Sequence, residues 1–274
     1  MKIVVISDLH GAFPTNLQEE IKRVEPSLIV CCGDIFTFTL REAFFKHVFH
    51  DREQHLWEYV GKEQWKEGVL KDVENAQYVL ETLDSFSIPT LFVSGNNDRA
   101  LWEEELSRGS LPPVEWEFAK QDFVAPLVDD CEHIQMLDYS STRVEDYSFI
   151  GYPASSNPGD PENPVFQKHK EKLTQLFENR RCEKTIFVCH NGPHNTSLDK
   201  IGGEADESVR GKHYGSLLAR YMVETYQPEY CVHGHIDEGR GIDTIGNTSI
   251  MNVGSGHDGL YGVIDTEDGT VTLQ

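Results

Sequence analysis

Five short apolar runs in this chain each stop at residues that bind metals or protons well and pack poorly. "KIVVIS" runs into Asp8 and His10, and "LIVCC" into Gly33 and Asp34. "IPTLFV" runs into Gly95, Asn96, Asn97 and Asp98; "TIFVC" into His190; and "YCV" into His233, His235 and Asp237. Between the runs lie amphipathic stretches such as "TNLQEEIKRV", with Leu17, Ile21 and Val24 at helical spacing. Alternating buried strands and helices predict an α/β domain, and in such sheets ligands gather at the carboxyl ends of the strands. Taken singly, each feature has an ordinary reading: Asn and Gly favour turns, and a lone histidine usually finds a backbone hydrogen-bond partner. Asp, His and Asn delivered repeatedly to one sheet edge are not explained by turn chemistry. Carboxylate, imidazole and amide oxygen form a donor set suited to Mn, Fe, Mg or Zn. There are enough donors here for two ions sharing one carboxylate.

Composition narrows the functional classes. The chain has 274 residues and a formal net charge of −22. A field of that sign repels a phosphate backbone, so extended nucleic-acid binding is not expected, although local cations could still receive a small phosphate ester. The six cysteines form no CxxC pair, which argues against a zinc knuckle or redox motif and for reduced thiols in a cytoplasmic protein. The N-terminal apolar run is too short for a signal peptide, and no run is long enough to span a bilayer. Oligomeric state is not legible.

The chain reads as one domain over residues 1–274, with helical excursions near 40–72 and 99–125. Residues 40–84 predict two or three helices, the last over 73–86. Segments 134–141 and 147–155 are expected to pair antiparallel, and "EDG" (267–269) marks a terminal hairpin. Pro164 suits the first turn of a helix over 162–179.

The motifs "SDLHG", "CGDIF", "SGNND", "VCHNGP" and "HGHID", in that order, resemble those of the calcineurin-like metallophosphoesterases. The stretch from "CHNGPHNTSLDKIGG" to "HGHIDEGRG" is similar to the branch with H-x-P-P, LD, H-x-G-S and GHIHEGRG motifs. The resemblance implies a four-layer α/β/β/α sandwich of two mixed sheets flanked by helices. It also implies a dinuclear-metal hydrolase of a phosphomonoester or phosphodiester. By position, Asp8 and His10 would hold the first metal and Asp34 would bridge. Asn96, His190 and His235 would hold the second. Asp237 stands where the family places its final first-site histidine, and Asn97 where it places the histidine after the ligand asparagine.

Both departures have chemical consequences. Asp237 offers a hard anion in place of a neutral nitrogen, favouring Mn, Fe or Mg over Zn; His233 is an alternative ligand if the strand register differs. Asn97 has no titratable proton, so general acid catalysis must come from elsewhere, with Asp98, His194 and His213 as candidates, while the amide itself could donate to a phosphoryl oxygen. Arg210, Lys212 and His213 form a basic island that could bind substrate phosphate or simply solvate a loop. His257 could reach the cleft, His47 and His50 are expected on an exposed helical face, and Phe36, Phe38, Trp57, Trp65 and Trp102 are expected mainly to pack. The competing readings are a catalytically weak scaffold that keeps the site and, disfavoured by charge, a nuclease.

Overall fold

The computed structural model describes residues 1–49, 54–98, 114–153, 158–180, 182, 184–203, 205 and 207–274. The first sheet has the order β12-β11-β1-β2-β3-β4, built from β1 (Lys2–Ile6), β2 (Leu28–Cys31), β3 (Thr90–Phe92), β4 (Ile134–Met136), β11 (Gly262–Asp265) and β12 (Thr270–Leu273). Strands β1 to β4 run parallel, and β11 and β12 add antiparallel pairs at one edge. The second sheet, β5-β6-β7-β8-β10-β9, contains β5 (Ser141–Val144), β6 (Tyr147–Tyr152), β7 (Thr185–Asn191), β8 (Tyr230–Gly234), β9 (Gly241–Ile245) and β10 (Thr248–Asn252). Here β6, β7, β8 and β10 are parallel, while β5 and β9 close the edges antiparallel.

Strand periodicity generates the layers. In β1, Ile3 and Val5 face the second sheet and, with Val30 of β2, form one core cluster with its Phe149, Val188 and Val232. Val4 and Ile6 point to the other face, beneath α1 (Thr15–Val24) and α4 (Lys62–Asp84), where Leu17, Ile21, Val79 and Leu83 are buried. This is the period-two alternation of a strand buried on both sides. Beyond the second sheet, α6 (Pro164–Glu178) and α7 (Leu217–Tyr226) cover Ile150, Phe187 and Cys231 through Leu173, Phe177, Met222 and Val223. The result is the expected four-layer sandwich. Asn163 and Ser216 cap these helices by accepting the N–H groups of Val165 and Ala219, and Pro164 occupies the first turn.

The excursion after β2 contains α2 (Arg41–His47), α3 (Leu56–Val60) and the amino-terminal half of α4, around a core of Val48, Leu56, Trp65 and Val69. Helix α4 begins well before residue 73, because residues 62–72 carry no breaker strong enough to end it. The described part of the second excursion holds a short 3-10 turn, Glu117–Lys120, and α5 (Ala125–Asp129). His50 and Trp102 lie outside the described residues.

One pairing differs from expectation. Ile134–Met136 joins β3 in the first sheet, and the antiparallel partner of β6 is Ser141–Val144. The chain changes sheets between them, where Asp138 accepts the backbone N–H and the hydroxyl of Ser94. A one-dimensional apolar pattern does not mark such a crossing. Strand β9, half-exposed at a sheet edge, was also not expected. Among the described residues, no helix is long and apolar enough to cross a membrane.

Candidate metal centre

The carboxyl ends of β1, β2 and β3 meet those of β7 and β8 at one rim. After β1 and β2 the two loops continue to pair: Asp8 N–H donates to Gly33 O at 2.9 Å, His10 N–H to Asp34 O at 2.9 Å, and Gly11 N–H to Ile35 O at 2.7 Å. Four of the expected ligands sit in the left-handed backbone region: Asp8 at φ 53°, His10 at 45°, Asp34 at 55° and His235 at 70°. Two glycines are required by close approach. A Cβ on Gly95 would lie 2.2 Å from Asp34 Oδ1, and one on Gly234 would lie 2.1 Å from Asp8 Oδ2. The carboxylates rest directly on bare backbone.

Asp98 organises this rim from beneath. Fully buried, it accepts the backbone N–H groups of Asp34 (2.7 Å), Ile35 (2.7 Å), Phe36 (3.0 Å) and Gly95 (2.7 Å). Burial and the neighbouring Asp34 charge push its carboxyl up to about 7, with the backbone donors pulling the other way. With both oxygens occupied, Asp98 is a positioning residue and does not face the cleft as a free acid.

Ligand atoms gather into two groups, the atoms of each within 4.8 Å of one another, one from Asp8, His10 and Asp34 and the other from Asp34, His190 and His235. Asp34 belongs to both. His190 Nδ1 donates to Cys32 O at 2.8 Å, so in the neutral ring Nε2 carries the lone pair. That lone pair faces Asn96 Oδ1 at 2.9 Å and Asp34 Oδ1 at 3.5 Å. In the neutral ring three electron-pair donors then face one another, an arrangement relieved by a proton on Nε2 or by a divalent ion, and the donor set fits such an ion. On the other side, His10 Nδ1 faces Phe36 O at 3.4 Å and Nε2 is 3.8 Å from Asp8 Oδ1.

Electrostatics agree with a site built for positive charge. Burial lowers the pKa of His10 and of His190, but Asp34 and Asp8 outweigh it and both are raised. Burial raises the Asp34 carboxyl, against the pull of His190 and His10.

The remaining expected residues divide. Asp237 is exposed in the 3-10 turn Asp237–Gly239 and stands outside both ligand groups. Desolvation at the rim and the charge of Asp8 push its carboxyl up to about 7, with His10 opposing. His233 is buried against Gly192, its Nδ1 on Gly234 O at 3.1 Å, and belongs to neither ligand group. Burial lowers it to about 4. Asn97 donates both its backbone N–H (2.8 Å) and its amide Nδ2 (2.7 Å) to Asp34. His257 is exposed, and its backbone N–H braces Asp8 O at 3.1 Å. His47 stacks on Tyr59 at 5.0 Å.

In the basic loop, Arg210 donates to Ala205 O (2.8 Å from Nη2), within its own loop, and Lys212 is exposed. His213 is different. Its Nδ1 donates to buried Asp199 at 2.7 Å, leaving Nε2 open, and His194 Nδ1 lies 3.5 Å from the same carboxylate. Asp199 also accepts backbone N–H groups of Asn195, Thr196 and Gly215. Burial raises the Asp199 carboxyl, but the His213 bond and these backbone donors outweigh it and hold it below its ordinary value. A depressed carboxylate contributes stability above the unfolded pKa of about 3.9, and that stability is lost as pH falls through the folded value. Asp199→Asn is therefore expected to lower the urea midpoint at pH 7, with the gap to wild type closing below about pH 4. A gap that stays constant down to about pH 2 would contradict this assignment.

Sequence reasoning missed a cavity of about 460 Å³ that shares His10 and Asn97 with the metal rim and is also lined by Phe38, Arg41, Lys71 and Asn75. A larger cleft of about 620 Å³, around Ser197 and Asp243, shares no residue with the rim, and its Arg220 pairs with Glu224.

Paired ligand groups that share a carboxylate, at the rim of a two-sheet sandwich, define a metal-dependent hydrolase of phosphoric esters. The chain belongs to the calcineurin-like phosphoesterase family, whose sequence profile it matches over residues 1–238. It is 27% identical to an uncharacterized protein of Methanocaldococcus jannaschii, MJ1162, over the whole of this chain and 95% of the relative. The crystal structure of TT1561 of Thermus thermophilus superposes with a TM-score of 0.61 at 14% identity, covering 100% of this chain and 97% of that one. A dimetal phosphatase from Danio rerio superposes with a TM-score of 0.51 at 10% identity, covering 96% and 91%. These two likenesses speak to the fold.

Proposed function

We propose that the protein, acting as a single domain over residues 1–274, hydrolyses a small phosphomonoester or phosphodiester at a centre of two divalent ions. Asp8 and His10 hold the first ion, completed by Asp237 from the rim; Asn96, His190 and His235 hold the second; Asp34 bridges. The observation that carries this reading is the pair of ligand groups sharing Asp34. Manganese is the expected metal, with iron, magnesium or zinc as alternatives, because Asp237 adds a hard anion. Two such ions supply an acidified water nucleophile and neutralise phosphoryl charge.

The chain's own residues set the rest. The bond from His190 Nδ1 to Cys32 O turns its Nε2 toward the site as the atom that would hold an ion, and Asn97 holds the Asp34 carboxylate by two hydrogen bonds. His213, oriented by Asp199, is the group in the 192–216 loop equipped to give a proton to the departing alcohol. Lys212 and Arg210 assist only by their field at that loop. The net charge opposes extended nucleic acid, and six free cysteines suit the cytoplasm. After chelation and reloading, about two Mn²⁺ per chain and Mn²⁺-dependent hydrolysis of 4-nitrophenyl phosphate are expected. No metal uptake and no hydrolysis would overturn the proposal.

Asn97 favours a second reading, a weakly catalytic scaffold, because its amide offers no titratable proton beside Asp34. The two readings separate on Asn97→His. General acid catalysis is worth about 10²–10⁴-fold, so butyl phosphate hydrolysis is expected to rise at least about tenfold relative to 4-nitrophenyl phosphate. Inactivity of both proteins on both esters would favour the scaffold.

A further inference from the structure

The cavity beside His10 and Asn97 has a chemistry that the metal centre does not require. Its wall comes from the first excursion, and the loop at its floor is fixed by Asp72 of α4. That buried carboxylate accepts the hydroxyls of Thr37 (2.7 Å) and Thr39 (2.7 Å) and the backbone N–H of Thr39 (2.9 Å). Asn75 Nδ2 in turn donates to Thr37 Oγ1 at 3.1 Å. The hydroxyl protons are thus already committed to Asp72, which is itself buried. The Lys and Arg side chains of the lining, Arg41 and Lys71, give it a cationic character with no carboxylate among the described residues that line it.

Two cations lining one small cavity run against the rest of the molecule, which carries 24 Lys and Arg against 46 Asp and Glu. Among the described residues, neither forms an ion pair with a carboxylate. Arg41 lies with its guanidinium carbon 4.8 Å from the Phe45 ring centroid, a cation–π contact that fixes the group while leaving its N–H edge for a planar anion. Phe38 supplies an apolar part of the lining. A volume of about 460 Å³ falls in the range of small-molecule sites and fits a short carbon skeleton, not a polymer.

We propose that Arg41 and Lys71 receive a second anionic group of the substrate, a carboxylate or a second phosphate, carried several bonds from the phosphate that reacts at the rim. This rests on the phosphoesterase reading and deepens it: the preferred substrates are short phosphate esters with another anion at the far end. Charge–charge attraction, with a guanidinium able to bind a planar anion by two parallel hydrogen bonds, is what separates such esters from their neutral analogues.

The test uses non-hydrolysable ligands, so that binding is read without turnover. Calorimetric titration of the Mn²⁺-loaded full chain compares pentylphosphonate, 5-phosphonopentanoate and pentane-1,5-bisphosphonate. At least one of the two doubly functional ligands is expected to bind about tenfold or more tighter than pentylphosphonate, and which one does so identifies the second anion. That ratio is expected to fall towards one in Arg41→Gln and Lys71→Gln, singly in part and together in full. Lys66→Gln, on the same helix outside the cavity, keeps it. Both target residues are exposed, so the fold should persist, and thermal melts check this. Equal affinity for all three ligands in wild type overturns the subsite while leaving the phosphoesterase reading standing. A preference that survives the double substitution also overturns it. Absence of both Mn²⁺ uptake and phosphonate binding overturns the phosphoesterase reading and the subsite with it.

Discussion

Asp34→Asn is expected to lower metal-dependent phosphate-ester hydrolysis by about 10³-fold or more, equivalent to roughly 4 kcal/mol of transition-state stabilisation, and to reduce the bound metal from two ions to one or none. The carboxylate is the one residue common to both ligand groups, and a neutral amide with a single acceptor oxygen cannot neutralise two divalent ions. The metal-free protein should behave differently. Burial disfavours the ionised Asp34 carboxylate in the folded state, which offsets the one Asn97 hydrogen bond an amide can no longer accept, so the thermal midpoint of the chelated protein is expected to change little. Loss of metal and activity with retained apo stability distinguishes a ligand from a structural carboxylate. A variant that keeps two ions and full activity would refute the bridging role.

Asp98→Ala carries the largest expected stability effect. It leaves the N–H groups of Asp34, Ile35, Phe36 and Gly95 without their acceptor. A buried donor without a partner costs about 1–3 kcal/mol, and partial relaxation or water entry keeps four such losses from adding. A loss of about 3–5 kcal/mol is expected, which for a chain of this size lowers the melting temperature by roughly 6–15 °C. Denaturant unfolding in chelator reads this apart from metal loss. A change under about 1 kcal/mol would show that the loops hold their shape without Asp98. Metal affinity should fall as well, since the same four amides fix the backbone of Asp34 and of Gly95 beside it.

The order of ligand-type residues was legible because strand ends are marked twice in a sequence, by the end of an apolar run and by the polar residue that follows. Asp8, His10, Asp34, His190 and His235 all fall at such ends, and the structure draws them together. What failed to show has physical causes. The exposed position of Asp237 was not legible, because it follows a strand that has already ended and the turn after Ile236 breaks the alternation on which a face argument depends. Asp98 could be expected to orient a neighbour, but its four amide partners lie up to 64 positions away. Arg41 and Lys71 sit far apart in the chain on two helices of an excursion, and only the fold of that excursion places them in one cavity. Gly95 suggests a turn in the sequence; in space it is there because Asp34 leaves no room for a Cβ.

The left-handed backbone at Asp8, His10, Asp34 and His235 has a consequence for engineering and evolution alike. For a residue other than glycine, that conformation costs about 1–2 kcal/mol. To a search for thermostability these four positions look like errors, and glycine is the repair each would suggest. Every such repair removes a side chain that the metal rim needs. The route to a more stable molecule and the route to an active one therefore diverge at these residues, so stabilising substitutions that preserve hydrolysis have to come from the sheets and outer helices.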